Sequence, residues 1–149
     1  MLHGDLAADR HTIDCDMIRV EPEESLADLK QAAALVASQM GLKNDWLNNE
    51  SRVFAWLIPP GWTTRLRPFD TFGPLEVMTL SRRDLLAMKL RSMAKRSKDL
   101  ADIDAICPTA EEIDFLLGYL DQAEMESLDR ETFDDQRAFL LELKQAHEA

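Results

Sequence analysis

Cysteine is scarce in this chain, limited to Cys15 and Cys107, and histidine nearly so, with three residues. Two thiols so far apart build no disulfide framework, and neither has a second thiol at metal-ligand spacing. His3, His11 and His147 make no helical pair of the zinc type, which argues against a zinc site. Basic residues are also in short supply: 17 lysines and arginines face 28 acids, for a net charge of −11. A field of that sign opposes nucleic-acid binding, whose affinity rests on basic side chains releasing counterions from phosphates. It suits a small-molecule substrate or a basic protein partner. No apolar run approaches the length of a membrane span. The opening Met1-Leu2-His3-Gly4-Asp5 lacks the basic and apolar regions of a secretory signal, so the expected location is cytoplasmic.

What is present describes an ordinary globular chain. Its 149 residues are 46% hydrophobic and 30% charged. A chain of that length buries about 68–70% of its unfolded surface as one domain.

Periodicity orders the elements. Residues 10–18 read as a strand, with Ile13, Cys15 and Met17 turned into a core and Cys15 buried. A helix is predicted from Ser25 to Met40, with Leu26, Leu29, Ala33 and Val36 on one stripe and Gly41 as its stop. Residues 45–50 read as a loop or a single turn, and the apolar run Val53–Ile58 fits either a strand or a helix. Thr63 to Phe69 and Leu75 to Leu80 read as two further strands around Gly73-Pro74, with Pro68 marking an edge or turn. From Ser81 the pattern is helical. Ser81 with Asp84, and Thr109 with Glu112, have capping-box spacing. Leu85, Met88 and Ser92 begin one stripe, and a helix capped by Ser97 carries Leu100, Ile103 and Ile106. Ile113, Leu116, Leu117 and Leu120 form the next stripe, and Phe139, Leu140 and Leu143 the last, on either side of an acidic corner. Strands and one helix first, then only helices, predicts an α+β fold with a helical C-terminal part.

Two clusters carry chemical meaning. Asp14 and Asp16 are two apart on a predicted strand, so their carboxylates project on one face about 7 Å apart along the backbone. Such a pair repels itself unless a hard cation neutralises it, and carboxylate oxygens suit Mg²⁺ or Mn²⁺. The plain alternative is a solvated strand face in an acidic protein. The second cluster is basic: five of the 17 cationic residues fall between Lys89 and Lys98. A helix ending near Arg96 before the start of another is suited to an anion such as triphosphate. Helix-end charges that merely satisfy the dipoles, with Asp99 and Asp102 in the next helix, account for the same residues. Trp46, Trp56 and Trp62 read as core and loop anchors rather than a base-stacking platform.

Four elements occur in one order: Arg10-x-Thr12-x-Asp14-Cys15-Asp16, then Asp45-Trp46-Leu47-Asn48, then Leu85 to Leu90, then Arg96-Ser97-Lys98-Asp99-Leu100-Ala101-Asp102-Ile103. Over roughly residues 2–106 this series resembles the minimal nucleotidyltransferase-fold proteins, in the branch of the abortive-infection nucleotidyltransferase toxins and their bacterial relatives. The resemblance implies a small mixed sheet flanked by helices over residues 1–106, with residues 107–149 as a helical extension packed on it. It implies Mg²⁺ or Mn²⁺ at Asp14 and Asp16, with catalytic roles for both and for Lys89 and Asp99. Arg10, Thr12, Arg96 and Lys98 would contact the nucleoside triphosphate, and Asp102 would support them. The family's Gly-Gly or Gly-Ser turn ahead of the carboxylate strand has no counterpart here, and a third carboxylate has only Asp70 and Glu76 as candidates. Two functions follow as expectations: nucleotide transfer, in a component of a toxin–antitoxin type with a protein partner or as a homodimer, or a catalytically degenerate binding or assembly module.

Overall fold

The computed structural model describes residues 14–92, 97–127 and 131–148, in two compact units, residues 1–56 and 57–149. The fold is α+β, with two small two-stranded sheets and C-terminal helices.

In the first unit, β1 (Cys15–Asp16) runs parallel to β2 (Leu47–Asn48), with Cys15 opposite Leu47 and Asp16 opposite Asn48. Parallel neighbours need a crossover, and α1 (Leu26–Met40) supplies it. Rich in alanine and leucine, α1 ends where predicted, at Gly41, whose φ of 67° is left-handed. Only a residue without Cβ takes that conformation freely. There the Leu42 N–H reaches back to the Ala37 carbonyl at 3.0 Å. Ala33 and Ala37 are the buried residues of α1. Their small side chains leave room for the Trp46 indole, which donates to the Ala33 carbonyl at 2.9 Å and pins the approach to β2. β2 thus lies inside the stretch read as a loop. Of the two readings of the Val53–Ile58 run, strand or helix, the helical one holds up to Leu57, in the tighter 3-10 form: Glu50–Leu57 is a 3-10 helix, begun where Asn48 Oδ1 accepts the Glu50 N–H at 3.0 Å.

The Cys15 expectation is overturned. Cys15 is exposed, and Met17 only half-buried. The reason is length: a two-residue strand in a two-stranded sheet has no layer over its second face among the described residues.

In the second unit β3 (Arg67–Phe72) and β4 (Leu75–Thr79) form an antiparallel hairpin across Gly73, with a register irregularity between Pro68 and Asp70. Residues 63–65, expected in the strand, lie in a 3-10 turn, Trp62–Arg65. The Arg65 guanidinium draws that turn inward by donating to the Pro59 and Pro60 carbonyls, each at 3.0 Å. Helices α2 (Arg82–Ser92), α3 (Ser97–Ile106), α4 (Ala110–Met125) and α5 (Glu131–Glu148) follow. One apolar core joins them, built on Leu86, Leu90, Ile103, Ile113, Leu116 and Leu140 with Phe133. Helices on both sides of residue 106 therefore share it.

The predicted faces of α3, α4 and α5 hold, whereas α2 is turned. Leu86, Ala87 and Leu90 are buried, and Leu85, Met88 and Ser92 are only half-buried. Ion pairing sets that rotation. Asp84, fully buried, receives Arg65 through both carboxylate oxygens, the shortest contact being 2.6 Å, and the Ser81 hydroxyl as well. Ser81 Oγ accepts the Asp84 N–H at 3.2 Å, half of the expected capping box, while the Asp84 carboxylate serves Arg65. Thr109 and Glu112 make the full box. α3 begins at Ser97 itself rather than after it.

Candidate active site

β2 organises the Asp14–Asp16 pair through the main chain. The Cys15 N–H donates to the Trp46 carbonyl, and the Met17 N–H to the Asn48 carbonyl at 2.7 Å. Alternate amides are thus tied to β2, with Asp14, Cys15 and Asp16 all exposed at the end of the strand. The Cys15 thiol has its pKa raised, first by desolvation and then by the negative charges of Asp16 and Asp14.

The donor set fits a hard cation. Both groups are carboxylates and both are accessible. Among the described residues no group of three or more His, Cys, Asp or Glu side chains is placed to hold a metal. That is compatible with Mg²⁺, which keeps several waters and is commonly bound by one or two carboxylates together with substrate phosphates. Of the two candidates for a third carboxylate, Asp70 lies on β3 opposite Val77, and Glu76 on β4 opposite Thr71. Neighbouring pairs alternate faces, so Asp70 and Glu76 project from opposite sides of the hairpin. Asp70 Oδ1 also accepts the Thr71 N–H at 2.8 Å.

Lys89, Lys98 and Asp99 belong to the second unit, on α2 and in the first turn of α3. Lys89 Nζ stands 2.8 Å from Asp102 Oδ2, and the two side chains are only 22% and 23% exposed. This ion pair joins α2 to α3 and orients the ammonium. The backbones of Lys98 and Asp99 are helical; Arg10, Thr12 and Arg96 lie outside the described residues. Arg91, within the same basic run, serves the core: its guanidinium lies 4.0 Å from the Phe133 ring centre, and Nη1 donates to Gln136 Oε1 at 3.1 Å.

Two positioning arginines escaped the sequence reading. Arg65 locks the first turn of α2 through Asp84, as described above. Arg82 Nε donates to Glu112 at 2.7 Å, and its Nη2 to the last carbonyl of α3, Ile106, at 2.7 Å and to Cys107 at 2.9 Å. Between them they hold the helix that carries Lys89. The available signal was the first-turn carboxylate three residues after the hydroxyl in each capping pattern, since such a group has a second oxygen to offer an arginine.

Residues 1–146 match the family described as nucleotidyltransferase of unknown function, DUF6036. No curated protein and no solved structure matches the chain.

Proposed function

The chain belongs to the DUF6036 family of nucleotidyltransferases of unknown function, and we propose that it transfers a nucleoside monophosphate from a nucleoside triphosphate. The observation that carries this reading is the accessible pair of Asp14, just before β1, and Asp16, within it, in a chain matched to the family over almost its whole length. Asp14 and Asp16 hold Mg²⁺ or Mn²⁺. When bound, the ion supplies neutralisation of the phosphates and alignment of the α-phosphate for in-line attack. Lys89, oriented by its ion pair with Asp102, offers its ammonium to the departing phosphates. Arg10, Thr12, Arg96 and Lys98 bind the nucleotide, and Asp99 accepts the proton of the attacking hydroxyl. In this reading residues 1–106 carry the transferase part, residues 107–149 are a helical extension packed on it, and the relatives are the abortive-infection toxins. The protein then acts as a toxin–antitoxin-type component, with a protein partner or as a homodimer.

A second reading, a catalytically silent binding or assembly module, is favoured by one observation: the net charge of −11 opposes the approach of a polyphosphate. Calorimetric titration with Mg²⁺ and Mn²⁺, followed by incubation with each labelled nucleoside triphosphate and a cell extract, separates the two. Transfer of label that is lost in Asp14→Asn establishes the transferase. Metal binding without transfer supports the module. Unchanged metal affinity in the Asp14→Asn, Asp16→Asn double variant removes the metal assignment from both.

A further inference from the structure

The first unit contains a cleft of about 490 Å³ immediately beyond the two parallel strands. Its wall begins at Ile18, two residues after β1 ends, and is completed by Arg52, which follows β2. The carboxyl ends of parallel strands are where open α/β sheets commonly bind ligands, and the volume lies within the range of small-molecule sites. Ile18, Val20, Pro22 and Leu26 give the cleft an apolar wall. Its charged groups come as two matched pairs, Arg19 with Glu21 and Arg52 with Glu23, the second at 2.7 Å.

That pairing selects the ligand. All four side chains are at least half exposed, so neither pair is held tightly against exchange. A purely anionic ligand that takes an arginine strands a glutamate, in a protein already at −11. A purely cationic ligand strands an arginine. A compact zwitterion replaces both halves of a pair at once: its carboxylate meets the guanidinium and its ammonium meets the freed carboxylate. We propose that this cleft is a binding site for a free α-amino acid with an apolar or aromatic side chain. Its wall starts two residues past Asp16 in the chain, which makes it an acceptor site, a consequence that rests on the nucleotidyltransferase reading; the binding itself does not.

The test uses the full chain with chelator present and no nucleotide, so that failure of the transferase reading leaves it untouched. Backbone amide shifts are followed during titration with L-leucine, L-phenylalanine and L-tyrosine. The expected result is saturable shifts confined to residues 18–26 and 49–52 for at least one of them. The N-acetylated amino acid, which mimics a protein C-terminus, and the amino-acid amide, which mimics an N-terminus, should each bind about tenfold or more weakly, the loss of one charge-assisted contact. The charge-neutral double variant Arg52→Ala with Glu23→Ala should weaken binding similarly. Absence of saturable shifts with all three amino acids, equal binding of the blocked analogues, or tighter binding of a nucleoside monophosphate would each overturn the proposal. The analogue comparison decides the matter even where the variant does not fold.

Discussion

Cys15 sits between the two carboxylates proposed to hold metal, and its thiol reports the charge they carry. Burial, then Asp16, then Asp14 raise its pKa, so at a given pH below that value less thiolate is present. Removing a neighbouring negative charge lowers the pKa and increases the thiolate fraction. In metal-free buffer near pH 8, on a Cys107→Ser background, Asp16→Asn should therefore be alkylated by iodoacetamide severalfold faster than the parent. The burial contribution remains, so the rate stays below that of a free thiol. A rate unchanged by the substitution would show that the carboxylate does not act on the sulfur. Arg65 illustrates a different residue-level effect. Its partner Asp84 is fully buried and the arginine about a third exposed, so truncating the arginine strands a carboxylate away from water. Arg65→Ala should cost about 3 kcal/mol, the lower end for a broken buried pair because part of this one reaches solvent. Arg65→Lys should recover only part of that, since one ammonium does not reproduce the fork that also reaches Pro59 and Pro60. Urea denaturation of the three proteins measures the difference.

Helix ends were the most legible elements, because capping is local chemistry written in three or four residues. Thr109 Oγ1 accepts the Glu112 N–H at 3.2 Å, and Glu112 Oε2 accepts the Thr109 N–H at 2.8 Å. Thr109→Ala should cost about 1 kcal/mol in the same denaturation assay. Glu112→Ala should cost more, because it also releases Arg82 from the α2–α3–α4 junction. A smaller loss than for Thr109→Ala would show that Arg82 contributes nothing through that contact. The Gly41 stop of α1 was equally visible in the sequence, for the same local reason. The phase of α2 was not. Leu85, Leu86, Met88 and Leu90 allow two apolar faces, and the choice between them is made by Arg65, nineteen positions before Asp84 in the chain. Likewise the Thr63–Arg65 turn follows from Arg65 reaching the Pro59 and Pro60 carbonyls, which strand propensity does not encode.

Across the whole molecule, the proposed site residues were readable as spacings, while their partners needed the fold. Asp14 and Asp16 could be picked out from a two-residue interval, but the exposure of Cys15 between them depends on how short β1 is. Lys89 could be placed on a helix, but its pairing with Asp102 depends on how α2 meets α3. The same distinction applies to the stability of the two units. Every residue of the continuous apolar core, from Leu86 to Leu140, lies within residues 57–149. So do the ties that close it: Arg65 with Asp84, Arg82 with Glu112, and the Tyr119 hydroxyl donating to the Leu57 carbonyl at 2.8 Å. Among the described residues the first unit has far less of its own, with Ala33 and Ala37 as the buried residues of α1. Burial of apolar area is what offsets chain entropy, so the two parts should differ sharply when separated. A fragment of residues 57–149 should give a helical circular dichroism spectrum and a single cooperative urea transition, whereas residues 1–56 alone should show no cooperative transition. Tyr119→Phe in the larger fragment should lower its midpoint by the worth of one partly buried hydrogen bond, about 1 kcal/mol. A fragment 57–149 that lacks cooperative unfolding would mean that the helical core needs residues 1–56 to stand, and that the contact boundary near Trp56 does not mark a folding unit.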